Sequence, residues 1–185
     1  MVVMDNLQEL IRRPWLLEIF TVLDLSQPLT VAEIARRAQT PSHRVVKDCL
    51  RALERLGLVK RIVKEGKVLY IVDSSSQEIY HKARDWFLTR TIYYDGRRRI
   101  LKANGVYVIM SKRSRYIGVT YVPSSAVDKV ARILKERRQW LTIREIASIT
   151  GLKGQTVSRA LRVLKAKGVV EIEVHEGVKL FRAME

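Results

Sequence analysis

Residues 142–181 read TIREIASITGLKGQTVSRALRVLKAKGVVEIEVHEGVKLF, and three periodicities follow one another along them. Thr142 precedes Glu145 by three positions, the spacing at which a hydroxyl caps one first-turn amide while a carboxylate reaches back to another. Ile143, Ile146, Ala147 and Ile149 give the helix that starts there a buried side, and Gly151 breaks it. A second helix is expected over about residues 154–167, with Val157, Leu161 and Leu164 at helical spacing. Gly168 ends it, as a residue without a Cβ can. Residues 169–174 alternate as a strand does, His175-Glu176-Gly177 makes a tight turn, and residues 178–182 return to close a hairpin.

The same pattern occurs earlier, over residues 30–72: TVAEIARRAQTPSHRVVKDCLRALERLGLVKRIVKEGKVLYIV. Thr30 and Glu33 match Thr142 and Glu145, and Ile34 and Ala35 match Ile146 and Ala147. With a one-residue gap in the turn, Val46, Leu50, Leu53 and Gly57 match Val157, Leu161, Leu164 and Gly168, and Glu65-Gly66 matches Glu176-Gly177. A repeat this regular predicts two copies of one supersecondary unit.

Helix, turn, helix and hairpin in this order resembles the DNA-binding part of winged helix-turn-helix regulators, such as the MarR-like and ArsR-like families. In the second copy the resemblance is carried by Glu145, Ile146, Ala147, Gly151, Thr156, Val157, Ser158, Leu161, Leu164, Gly168, Val169 and Val170. It implies a double-stranded DNA partner, with the second helix of each motif in the major groove. The candidate contacts on the helix of residues 153–167 are then Lys153, Gln155, Thr156, Ser158, Arg159 and Arg162. In the first copy Thr40 is expected to cap the second helix, with Pro41 in its first turn, where a missing N–H costs nothing. Its outward face offers Ser42, His43, Arg44, Lys47 and Arg51. Lys64 and Lys67, at the tip of the first hairpin, are placed to neutralise phosphates. Glu171, Glu173 and Glu176 line the second hairpin against only Lys179 and Arg182, so that hairpin is expected to avoid DNA or to serve another surface.

Outside the two copies, Pro14 opens a first helix carrying Trp15, Leu16, Ile19, Phe20 and Leu23, and its equivalent in the second copy spans about residues 125–138. Residues 75–94 predict a linking helix, with Ser75 and Glu78 as a capping pair. Its stripe of Ile79, Tyr80, Ala83, Trp86, Phe87 and Tyr94 either packs on the first motif or forms the interface of a homodimer. Residues 97–122 predict a three-stranded meander with turns at Ala103-Asn104-Gly105 and Lys112-Arg113-Ser114. Residues 76–123 carry ten Lys and Arg against three Asp and Glu, and the densest cluster is Arg97, Arg98, Arg99, Lys112, Arg113 and Arg115. Arg97, Arg99, Arg113 and Arg115 are candidate phosphate contacts, with Tyr107, Tyr116 and Tyr121 among them as stacking groups. The alternative is a small sheet whose tyrosines pack on Trp86 or Trp140.

The expected fold is therefore α+β: two winged helix-turn-helix domains joined by a linking helix and a small antiparallel β-meander. The boundaries fall at residues 1–75, 76–123 and 124–185. A net charge of +16 and a pI near 10.3 agree with a nucleic-acid partner. No apolar run approaches the roughly 18 residues of a membrane span, and no signal-peptide pattern opens the chain. Cys49 is the single cysteine and reads as a small core residue in the place of Ala160. Together these point to a cytoplasmic protein. His43, His81 and His175 lack ligand spacing, and no phosphate loop or nucleophile elbow occurs, so no metal, cofactor or catalytic group is expected. The function expected is transcriptional regulation. Its rivals are a winged-helix protein-interaction scaffold of a transcription or chromosome-maintenance complex and a plasmid-type replication initiator.

Overall fold

The computed structural model describes residues 2–40, 42–113 and 116–185. The fold is α+β, with eight α-helices and eight strands among the described residues. Two compact units make up the chain: Met1–Arg99 with Met110–Gly118, and Ile100–Ile109 with Val119–Glu185.

The first unit begins with α1 (Val2–Arg12) and α2 (Pro14–Thr21). The sequence suggests one helix, from Pro14; residues 2–12 form another before it. Arg13 leaves helical geometry between them, and Pro14 takes the first position of α2, where its ring fits. Leu16, Leu17, Ile19 and Phe20 are all buried, so α2 is apolar around most of its circumference and lies in the middle of the unit, against α1, α4 (His43–Arg55) and α5 (Gln77–Arg90). Between α2 and α4 lies α3 (Val31–Arg37), whose N-terminus closes a capping box: the Thr30 N–H donates to the Glu33 carboxylate at 2.7 Å and the Glu33 N–H to Thr30 Oγ1 at 3.2 Å. A hairpin of β1 (Val59–Lys64) and β2 (Lys67–Val72) follows α4.

Two expectations for this unit are corrected. The cap of α4 is Ser42, which accepts from the Val45 N–H, and not Thr40; Pro41 lies outside the described residues. The helix predicted through Tyr94 is a 3-10 turn (Ser74–Ser76), then α5, then a strand, β3 (Thr91–Tyr94). β-branched and aromatic side chains at Thr91, Ile92, Tyr93 and Tyr94 favour the extended form. The Ser75–Glu78 pair does not form, because Asp73 accepts from the Ser75 N–H and Glu78 bonds Lys82. Ile79, Tyr80, Ala83 and Phe87 are buried inside the unit; Tyr80 Oη donates to the Leu23 carbonyl at 2.8 Å and its ring meets Phe20 edge-on. Of the expected stripe, these four side chains therefore pack inside the unit, while Trp86 is half-buried and Tyr94 is 37% exposed.

Three strands lie where the meander was expected, and a fourth, β3, joins them from the stretch expected to be helical. β3 pairs with β4 (Arg98–Ala103), followed by β5 (Val106–Lys112) and β6 (Ile117–Pro123), in the order β3-β4-β5-β6. Ser114 of the second predicted turn lies outside the described residues.

The second unit holds α6 (Ser124–Arg137), α7 (Ile143–Thr150), α8 (Gly154–Ala166), β7 (Val170–His175) and β8 (Val178–Ala183). Its core is Val127, Val130 and Leu134 of α6, Ile146 of α7, and Val157, Ala160, Leu161 and Leu164 of α8. Ile149, expected inside, is 37% exposed at the end of α7. Thr142 and Glu145 form the same capping box as Thr30 and Glu33, at 2.7 and 3.2 Å. Residue for residue, Leu29 bridges Tyr70 ahead of α3, and Leu141 bridges Phe181 ahead of α7. Both hairpins pair six residues with six across a two-residue turn. Those turns, Glu65-Gly66 and Glu176-Gly177, and the Asn104-Gly105 turn of the sheet hold positive φ at both residues, which the right-handed twist of a tight hairpin requires.

Candidate nucleic-acid interface

On α8, packing decides what is left to face outward. Val157, Ala160, Leu161, Val163 and Leu164 are buried against α6 and α7. Lys153, Gln155 and Arg162 are exposed, while Thr156, Ser158 and Arg159 are half-buried. Lys153 is the N-cap and is exposed, and no side chain caps the first turn, so the positive end of the helix dipole there carries no capping group. Arg159 is held more firmly than the sequence implies: Nη1 donates to the Tyr121 carbonyl of β6 at 3.4 Å. The Tyr121 side chain is 48% exposed, whereas Tyr107 is a core residue, 1% exposed, with Lys102 and Lys167 against its ring.

The second hairpin is less acidic than its composition indicates. Glu171 and Arg182 are cross-strand partners and their charges meet at 2.8 Å, with the guanidinium also over Trp140. Glu173 lies 3.1 Å from His175. Its tip also exposes apolar surface: Val174 and Val178 are 58% and 51% exposed.

In the first unit α4 buries Val46, Cys49, Leu50 and Leu53 and exposes His43, Arg44, Lys47 and Arg51. Arg51 lies 3.5 Å from Asp48 on the same exposed face. Ser42 is buried and occupied as a helix cap, which removes it from the candidate contacts. Lys64 and Lys67 face each other across the hairpin turn, both exposed, with Lys60 and Arg61 along the same strand. Burial, with the charges of Asp48 and Glu18, pushes the Cys49 thiol up to about 12.

The central basic cluster divides. Arg97 and Arg113 are exposed, and Arg113 stacks on Tyr116; Arg115 lies outside the described residues. Arg99 and Lys112 belong to the interior of the first unit, which corrects Arg99 as a phosphate contact. Lys112 Nζ lies 2.6 Å from Glu18 Oε1, with side chains 2% and 1% exposed. It also donates to the Ala38 carbonyl and to Tyr94 Oη. The Arg99 guanidinium is 3.6 Å from the same carboxylate and sits over the rings of Phe87 and Tyr94. A buried carboxylate needs such partners, and the signal for it was one Glu amid PWLLEIF. Among the described residues no helix is long and apolar enough to cross a membrane.

Residues 130–179 match the family model described as the MarR family. The match runs from within α6, through α7, α8 and β7, to the first two residues of β8. No curated protein matches the chain.

Proposed function

We propose that this protein is a transcriptional regulator that binds duplex DNA with two tandem winged helices, residues 1–75 and 124–185, joined by α5 and the sheet. The observation that carries this reading is the MarR-family match over α7, α8 and β7, on a helix whose outward face is Lys153, Gln155, Thr156, Ser158, Arg159 and Arg162. The paired capping boxes and paired bridges support extending it to the first unit. In this reading α8 and α4 are each the helix of their motif that enters a major groove. Lys64, Lys67, Arg97 and Arg113 hold phosphates, and the charge of +16 draws the polyanion in.

Arg44 is exposed on α4 and Lys67 at the hairpin tip, and they separate base reading from phosphate holding. On a duplex chosen by selection from a random pool, Arg44→Ala loses about 1–3 kcal/mol of discrimination between selected and random DNA. Lys67→Ala weakens both alike. Competition binding with the two duplexes measures this, and equal behaviour of the two variants refutes the assignment of α4 as a reader. A second reading, a protein-binding scaffold, is favoured by one observation: the solvent-facing Val174 and Val178 at the tip of the second hairpin.

A further inference from the structure

Counted from the matched Thr30 and Thr142, Gln39 and Gly151 occupy the same position, yet the two motifs end their first helix differently. In the second motif α7 closes on Gly151, at φ +71°, a left-handed geometry that glycine adopts without strain. The Thr150 hydroxyl ties the chain on both sides: it donates to the Ile146 carbonyl and accepts from the Leu152 N–H. In the first motif Gln39 holds the left-handed geometry, at φ +50°, with a Cβ that opposes it. The first turn thus lacks the glycine of its twin, and has Ala38 where its twin has Thr150.

Its support comes from farther along the chain, within the same unit. Lys112, at the end of β5, donates through Nζ to the Ala38 carbonyl. Ala38 closes α3, where carbonyls are left over and the helix dipole favours a cation. The same ammonium is held by Glu18 at 2.6 Å and by Tyr94 Oη at 3.2 Å, and the Lys112 N–H donates to the Arg97 carbonyl at 2.8 Å. Gly96, next to Arg97, is buried against Gln39: a Cβ on it would stand 2.1 Å from Gln39 Oε1. The β3–β4 turn and the end of β5 therefore lie on the turn that leads into α4. A recognition helix contacts base edges with its N-terminal residues, so what fixes that turn fixes the reach of His43, Arg44 and Lys47.

We propose that Lys112 is a positioning residue for DNA reading: from the interior, its ammonium holds the α3–α4 turn and so sets the sequence selectivity of α4. The proposal rests on the reading of α4 as a DNA-contacting helix.

The test uses full-length variants at a temperature where circular dichroism shows each to be folded. A duplex selected by the parent protein competes with a random duplex. Lys112→Met should lower the preference for the selected duplex tenfold or more. Affinity for random DNA and its salt slope should not change, because a side chain 2% exposed touches no phosphate. Adding Gln39→Gly gives the first motif the glycine of the second and should restore the preference threefold or more, a recovery that a loss of stability alone would not show. Where Lys112→Met does not fold, Gly96→Ala takes its place: it leaves the ion cluster intact, crowds Gln39, and should lower the preference threefold or more. A smaller loss than threefold in the folded variant, equal weakening on both duplexes, or no recovery with Gln39→Gly overturns the proposal. Arg44→Ala in the same assay separates the two claims. If it keeps the preference, α4 is not a reader and both fall; if it loses the preference while folded Lys112→Met keeps it, the positioning role alone falls.

Discussion

Glu18 sits on a helix whose neighbours are apolar, and its charge is met by Lys112 and Arg99 from distant parts of the chain. Taking away one side of such a pair strands the other in low dielectric, which typically costs about 3–5 kcal/mol. The cluster holds two cations and one anion, so the two sides are unequal. Glu18→Leu leaves two cations facing each other and should cost about that much. Lys112→Met leaves Glu18 with Arg99 and should cost less. Urea unfolding of the two variants measures the difference, and a larger loss for Lys112→Met than for Glu18→Leu would contradict the pairing. Cys49 offers an independent check of burial in the same unit. With its thiol moved from 9.0 to about 12, native protein should hold about 10³ less thiolate than an ordinary cysteine. Alkylation at pH 8 should then be slow in the native protein and fast in urea; equal rates would show that the thiol is open.

At the scale of elements, the two capping boxes are the strongest local determinants of where α3 and α7 begin. Thr30→Ala and Thr142→Ala should each cost about 1 kcal/mol, the usual loss for a helix cap. The bonds from Thr30 and Thr142 hold the Glu33 and Glu145 carboxyls below their ordinary value of 4.5. Amide bonds from Ser26 and Gln27 lower Asp24 further, from 3.8 to about 2. A carboxyl with a lower pKa in the folded chain binds fewer protons there than when unfolded. Its stabilisation is full above about pH 5, and it is lost as pH falls through 4.5 towards 2. The double variant Glu33→Gln/Glu145→Gln, which removes the titrating carboxyls, should show a shallower acid decline in urea midpoints between pH 5 and 3, and an unchanged decline would mean the boxes do not set it. These elements were legible because each obeys a local rule: a Thr and a Glu three apart, Gly after an apolar stripe, Glu-Gly at a hairpin tip. What was not legible depended on contacts. Thr40 and Ser42 are both good caps and both are buried; the backbone places the Ser42 hydroxyl where it accepts from the Val45 N–H, while Thr40 Oγ1 accepts from the Ser42 N–H. The stretch Thr91–Tyr94 continues a helical stripe by spacing and becomes strand because β4 is there to pair with it. Arg99 reads as one of three equivalent arginines until Glu18, 81 positions away, is placed beside it.

For the whole molecule, the charge of +16 is the quantity the proposed function uses, and the structure redistributes it. Glu18 offsets one of the two charges of Arg99 and Lys112 inside the first unit, and Glu171 offsets Arg182, so these three cations add far less to an outward field than their number implies. Arg97 and Arg113 remain outward, and Arg97→Gln/Arg113→Gln should lower the salt slope of DNA binding by up to about 1.8, at roughly 0.9 per phosphate contact, without altering the preferred site. The central claim, that this is a DNA-binding protein, is tested most directly by the affinity of the unaltered protein for a random duplex at four salt concentrations between 50 and 200 mM. Contacts to about six phosphates predict a fall of about 10³ across that range. An affinity that is absent at 50 mM salt, or that stays flat to 200 mM, would contradict it.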